Sequence, residues 1–279
     1  MTDSHLQKLI DTELAYFSPM KDRADRYSAE QREAWRAETI RQRQKRISLE
    51  VFEIAGGRVL YGPFRGMKLD RHRWWGDLDL GSQCLGLYER EILALFGRNT
   101  SGGQRASFID IGAADGYYTT GALFSGTFPS AVAFELDPRG QEAIKKSWSL
   151  NGSPGRLQVF GQATPESLLS LPSDILRGAF VLVDVEGAEF DILSAPVLGG
   201  LSTATIVVEI HNWIDDFESR YSTFLEDAFA IFNIDVIAPE ARNVHEYHEL
   251  RDFTDDNRLL LVSERRPCQM RFLKLTPKA

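Results

Sequence analysis

Between Phe108 and Thr119 the chain reads Phe-Ile-Asp-Ile-Gly-Ala-Ala-Asp-Gly-Tyr-Tyr-Thr. An apolar run that carries one acid, breaks into small residues and resumes with aromatic ones reads as strand, tight turn and helix. Gly112 and Gly116 permit left-handed backbone and leave bare N–H groups at a helix N-terminus, where a ligand can approach with no side chain in the way. The segment therefore points to an α/β fold whose ligand is a nucleoside or a dinucleotide.

Spacing narrows the ligand. A dinucleotide turn wants G-x-G-x-x-G, whereas Gly112 and Gly116 stand four apart with Ala114 between them, so the pyrophosphate fingerprint is absent. Asp110 precedes the first glycine, and Glu135 closes the next apolar run, Ala131 to Phe134, 23 residues beyond Gly112. A carboxylate at that distance accepts from both hydroxyls of a ribose. The two acids together suit a site that holds an amino acid and a ribose.

From Ser107 onward apolar runs alternate with helical ones, which implies a doubly wound, mostly parallel, seven-stranded Rossmann-like sheet. Strands are expected at 107–112, 130–135, 156–161, 179–184, 204–210, 234–238 and 258–264. Helices are expected at 117–126, 138–150, 165–171, 187–194 and 216–232. In such sheets ligands bind beyond the carboxyl ends of the strands, so Asp110, Glu135, Asp184 and Glu209 to His211 should converge on one crevice.

A chain of 279 residues, 43% of them hydrophobic, can bury one large core. The expected organisation is a helical N-terminal extension over 1–55, a hairpin and lead-in helix over 56–105, and the catalytic domain over 106–279. Ser28 and Gln31 have capping-box spacing, and Ile40, Ile47, Val51 and Ile54 form a stripe that packs on the catalytic domain or, as the alternative, pairs with a second subunit in a homodimer. Arg41, Arg43, Lys45 and Arg46 read as a solvated face or as a clamp for an anionic acceptor. Gly62 and Pro63 signal a hairpin between Arg58 and Leu69, and Ser82 to Gly97 reads as one amphipathic helix. Trp74 and Trp75 plug a domain edge or wall an acceptor pocket.

Charge and cysteine content exclude several classes. A net charge of −8 repels a phosphate backbone, so no nucleic-acid partner is expected. Cys84 and Cys268 have neither disulfide-framework nor zinc-knuckle spacing. The longest apolar runs fall well short of the ~18 residues of a membrane span, and residues 1–11 are polar, so a soluble, cytoplasmic protein is expected.

Four blocks in order, Ile109 to Thr119, Phe134 to Pro138, Val183 to Glu189 and Val207 to His211, resemble the FkbM-type family of S-adenosylmethionine (SAM)-dependent methyltransferases. Where that family's glycine turn carries Asn, this chain has Ala114. The resemblance implies a SAM-binding fold and methyl transfer to oxygen and does not name the acceptor; the expected acceptor is a hydroxyl of a small molecule or glycan. Cofactor contacts are expected at Asp110, Gly112, Ala113, Gly116, Tyr117, Glu135 and Asp184, and Gln162, at the end of the third expected strand, is read as meeting the adenine edge.

A hydroxyl acceptor must lose a proton, which calls for a general base or a cation. His211 is the expected base, with Glu209 two residues earlier on the same side of the strand to orient its imidazole, and Asp184 as a third catalytic residue. Glu186 and Glu189 complete an acidic run, in which Glu189 also suits a helix start. No metal is expected; the metal-assisted alternative uses Asp184, His211 and Asn212. His245 to Glu249 lacks the H-E-x-x-H spacing and is a surface loop or part of the acceptor pocket. Two competing readings are a nicotinamide oxidoreductase, which lacks its pyrophosphate turn, and a non-catalytic SAM-binding or partner-binding protein.

Overall fold

A computed structural model describes residues 2–17, 28–97, 107–268 and 270–278. Seven strands form one sheet: β1 (Phe108–Ile111), β2 (Ser130–Phe134), β3 (Arg156–Phe160), β4 (Phe180–Val183), β5 (Thr205–Ile210), β6 (Phe232–Ile237) and β7 (Arg271–Pro277). Their order is β3-β2-β1-β4-β5-β7-β6. β1 to β5 pair in parallel, and β7 inserts antiparallel between β5 and β6. The fold is thus the expected mostly parallel α/β sheet, Rossmann-like, preceded by helices Thr2–Phe17, Ala29–Arg36 and Ile40–Ile54.

Strand pleat assigns each residue to a face. Ile109, Ile111, Val132, Val181, Val183, Ile206 and Val208 enter the core on one side of the sheet. Phe108, Ala131, Phe180, Leu182 and Val207 enter the core on the other, which residues from Ile47 to Phe96 cover. Asp110, Asp184 and Glu209 are in step with Phe108, Leu182 and Val207, so they point to the covered face. That cover is aromatic, with Phe64, Phe96, Tyr117 and Tyr118 in edge and stacked contact. Gly121 makes the contact possible, because a Cβ there would lie 2.4 Å from the Phe64 ring.

Several expected elements differ. The run at 258–264 is no strand; it forms helix Asp255–Leu261, with Thr254 as extended N-cap and Asp255 and Asp256 in its first turn, and the seventh strand follows at Arg271–Pro277. The single helix expected over Ser82 to Gly97 is split into Leu80–Cys84 and Arg90–Gly97. Gly86 breaks it at φ +63, where a Cβ would lie 2.6 Å from the Tyr61 carbonyl oxygen. The hairpin between 58 and 69 reduces to one antiparallel bridge, Arg58 with Lys68.

The capping box at Ser28 and Gln31 forms as its spacing implies. On helix Ile40–Ile54 the expected stripe is rotated: Ile47 and Val51 are buried with Gln44, Ser48 and Phe52, while Ile40 and Ile54 are exposed. The cause is the close crossing of helix Leu80–Cys84, where the Gly81 N–H donates to Ser48 Oγ at 2.6 Å. Three of the four residues of the basic block are paired within the chain. Arg43 pairs with Asp256, Lys45 with Asp77, and Arg46 with Glu38 and Glu50. No described helix is long and apolar enough to cross a membrane.

Candidate active site

Three residues in five take positive φ at the end of β1: Gly112 at +88°, Ala114 at +48° and Gly116 at +74°. Gly112 has no room for a side chain, since a Cβ would fall 1.7 Å from the Asp184 carbonyl oxygen. The backbones at the ends of β1 and β4 therefore touch, and a ligand at the turn meets main chain. Gly116 caps helix Tyr117–Phe124 without a side-chain bond. Ala114 holds a left-handed conformation at φ +48°, which is uncommon for a residue with a side chain.

The carboxylates around the turn have distinct tasks. Glu135 accepts from the Ala114 N–H through Oε2 and from the Asp137 N–H through Oε1, both at 2.8 Å. Each oxygen keeps a lone pair for a ligand. Asp110 lies behind the turn, where Thr119 Oγ1 donates to its Oδ2. Burial pushes its pKa up to about 7, against the lowering effect of Thr119. Asp115 accepts from the Trp75 N–H and pairs with Arg73 at 3.1 Å in a buried ion pair, which ties the tryptophan loop to the turn.

Two cavities meet here. The larger, about 490 Å³, is walled by Trp74, Trp75, Leu136 and Pro165, with Gly112, Glu135, Gln162, Asp184 and Glu186 also on its lining. The smaller, about 60 Å³, lies over Asp110, Ala113 and Tyr117, among Arg73, Tyr88 and Glu89. Trp75, Gly112, Ala114 and Asp184 border both. Of the expected cofactor residues, Gly112, Glu135, Gln162 and Asp184 face the larger cavity, while Asp110, Ala113 and Tyr117 face only the smaller. Gly116 faces neither. The loop His245 to Glu249 touches neither cavity; its Glu249 bonds the Tyr61 hydroxyl.

Beyond Asp184 stands a pole of buried charge. His211 is 1% exposed and its Nδ1 bonds Glu189 Oε1, whose carboxylate is also fully buried and accepts from the Gly187 N–H at 3.0 Å. The orienting carboxylate is thus Glu189, not the expected Glu209. Glu209 is drawn away by Arg266, whose Nε donates to it at 3.0 Å, and its nearer contact with His211 Nε2 is 3.9 Å. His211 Nε2 faces Asp184 Oδ1 and Glu186 Oε2, each at 3.6 Å. Neither His211 nor Glu209 lines either of these two cavities; of the expected catalytic trio, Asp184 alone borders them. Asn212 accepts from the Cys268 thiol at 3.2 Å instead of joining this group.

Crowding of like charge sets the protonation of the pole. Burial, then the charges of Glu89, Glu186 and Glu189, hold Asp184 well above the usual carboxylate range. Glu209 is pushed up to about 8 by burial and by Asp184, against the opposing Arg266 and His211. Glu89 reaches about 8 through burial and the charges of Glu209 and Glu264. For His211 burial works against the cation, but the bond and charge of Glu189, with Glu209 and Glu186, outweigh it and raise the pKa. Glu89 and Arg266 were not legible as site residues. Glu89 sits in an apolar helical run, and Arg266 lies 57 residues from Glu209 in a loop with no motif.

No family model and no curated protein matches this chain. Among solved structures it is similar to a precorrin-6y C5,15-methyltransferase from Geobacter metallireducens (18% identity, 66% of this chain and 87% of that one, TM-score 0.45). It is also similar to an SAH-bound methyltransferase from Podospora anserina (13%, 84% and 88%, 0.45). A third is a ribosomal protein L11 methylase from Lactobacillus delbrueckii subsp. bulgaricus (13%, 68% and 78%, 0.40). Likeness at this level assigns no function.

Proposed function

We propose that this chain is a SAM-dependent methyltransferase of FkbM type, acting on a hydroxyl of a small molecule or glycan. The observation that carries the reading is Glu135. Its carboxylate is pinned by the glycine turn's own Ala114 N–H, keeps free lone pairs, and opens into a cavity of about 490 Å³ that ends at Gly112 and Asp184. The cradle is built for close approach. At Gly140 a Cβ would lie 2.5 Å from Glu135 Cγ and 2.9 Å from Trp74 Cζ3, so only glycine lets the tryptophan lie beside the carboxylate.

In this reading Glu135 holds the ribose diol, Trp74 and Trp75 cover the nucleoside, and Gln162 meets the adenine edge. The bare backbone of Gly112 and Ala114 approaches the amino-acid portion. When bound, SAM supplies an electrophilic methyl on a cationic sulfur. Asp184, at the border of both cavities, is placed to meet the acceptor hydroxyl, and its negative surroundings favour a cationic neighbour. His211, held by Glu189, and Glu209 stand behind Asp184 and set the charge around it. Most of the rate then comes from alignment; as the hydroxyl oxygen takes the methyl from sulfur, its proton passes to the Asp184 carboxylate, whose crowded setting makes it a stronger base than an ordinary carboxylate.

A calorimetric titration with SAM tests the reading. Wild-type protein should bind, and Glu135→Ala should weaken binding by about 10- to 150-fold, as loss of a charged acceptor of ~1.5–3 kcal/mol implies. His211→Ala should leave SAM affinity near that of wild type and sharply lower turnover on an acceptor panel. Absence of SAM binding to the folded wild-type protein would overturn the proposal.

A further inference from the structure

The acidic pole holds more ligand atoms than its own cations satisfy. Asp184, Glu186 and His211 each present one donor atom to a common point, and the three atoms lie within 4.8 Å of one another. His211 Nε2 stands 3.6 Å from each of the two carboxylate oxygens. Those separations exceed a hydrogen bond. They match donors that share an ion, since metal–ligand bonds of about 2.1–2.2 Å place neighbouring ligands roughly 3 Å apart and opposite ones roughly 4.3 Å apart.

Two further observations point at the same place. His211 is almost wholly buried, and Glu189 engages its Nδ1, which leaves Nε2 facing Asp184 and Glu186. A carboxylate that fixes the far ring nitrogen is the usual companion of a metal-bound imidazole. Asp184 Oδ1, the oxygen nearest Nε2, is itself buried and makes no hydrogen bond. The turn supports the arrangement: Glu186 at φ +54 and Gly187 at φ +115 bring the Glu186 carboxylate back over the imidazole.

We infer that Asp184, Glu186 and His211 form a divalent-cation site, with Glu189 as its positioning residue. One imidazole with two carboxylates suits a borderline-to-hard ion of the Mn²⁺ type. Asp184 and Glu186 both line the larger cavity, so a bound ion has open positions toward it, where a hydroxyl oxygen can coordinate. This rests on the methyltransferase reading only for the identity of that oxygen. In the other group of close carboxylates, Glu89, Asp184 and Glu209, Arg266 already pairs with Glu89 and Glu209, so that group is not the site.

Chelator-treated, dialysed full-length protein should be titrated with Mn²⁺ alone, with free ion followed by electron paramagnetic resonance. One ion per chain is expected to bind, with a nitrogen coupling from a single imidazole in electron spin-echo spectra. Affinity should fall at least tenfold in Asp184→Asn and Glu186→Gln, and the nitrogen coupling should vanish in His211→Ala. Glu186 is 62% exposed on its side chain, so its variant folds even if the buried ones do not. Glu189→Gln should weaken binding by about 10- to 100-fold. Glu249→Gln, far from the pole, should match wild type. No binding at millimolar Mn²⁺, or equal binding in Glu186→Gln and wild type, would overturn the site. SAM affinity of the same samples separates the two readings: SAM binding without Mn²⁺ binding removes only the cation, whereas Mn²⁺ binding without SAM binding removes the methyltransferase reading and leaves the cation site.

Discussion

Asp110 allows a quantitative test of how the turn is built. Its carboxyl is buried against the aromatic cover and holds its proton up to about pH 7, whereas an unfolded Asp releases it near 3.8. Because the folded state binds the proton more tightly, the stabilisation is fully present below about pH 4 and is lost as pH rises through 7. The whole gap is worth about 4 kcal/mol at ~1.36 kcal/mol per pH unit, and about 3 kcal/mol of it lies between pH 5 and 8.5. Asp110→Asn keeps an acceptor for Thr119 but cannot ionise. The difference in unfolding free energy between variant and wild type should therefore move in the variant's favour by about 3 kcal/mol from pH 5 to pH 8.5. In thermal melts that corresponds to roughly 6–10 °C in relative Tm. Every other titrating group is common to the two proteins, so the difference isolates Asp110. Parallel stability curves across this range would refute the argument that burial governs the residue.

Other positions make sharper structural demands. Gly112→Ala should remove SAM binding and lower Tm far more than Gly126→Ala, which shares a positive φ but has nothing within 4 Å and should cost about 1–2 kcal/mol. Arg266→Met strands Glu209 and Glu89 in a buried setting and should destabilise by about 3–5 kcal/mol in urea unfolding, with Arg266→Lys restoring only part because the forked contact is lost. Arg73→Met leaves Asp115 without its buried partner and should free the tryptophan loop. The readouts are greater acrylamide quenching of tryptophan fluorescence and weaker SAM affinity, and an unchanged quenching constant would count against the tie.

Legibility in the sequence followed the range of the interactions. β1, β2, β4 and β5 are buried on both faces, so each reads as a continuous apolar run that ends where the fold requires an acid or a glycine. β7 escaped because it pairs antiparallel beside an edge, mixes Lys274 and Thr276 with its apolar residues, and follows a more apolar run that forms a helix with Asp255 and Asp256 in its first turn. Strand-end acids at 110, 135, 184 and 209 were visible, yet their division between wall and interior was not. That division depends on which face the segment from Ile47 to Phe96 covers, a contact no local pattern encodes. The same holds for Glu189, which reads as a helix-start acid and serves His211 across 22 residues.

The two halves of the site have separate supports, and this bears on how a defect should be interpreted. The glycine-turn side, where we place the cofactor, is local: Glu135 is fixed by backbone N–H groups of the turn and of its own strand end. The acid pole is assembled from distant parts, with Glu89 from the lead-in segment, Asp184 and His211 from two strand ends, and Arg266 from the loop before β7. A change at Arg266 or His211 can thus loosen the pole while the turn keeps its hydrogen bonds. Turnover lost with SAM affinity intact would place the fault at the pole, whereas joint loss would place it at the shared border, Gly112 and Asp184, where the two strand-end backbones touch.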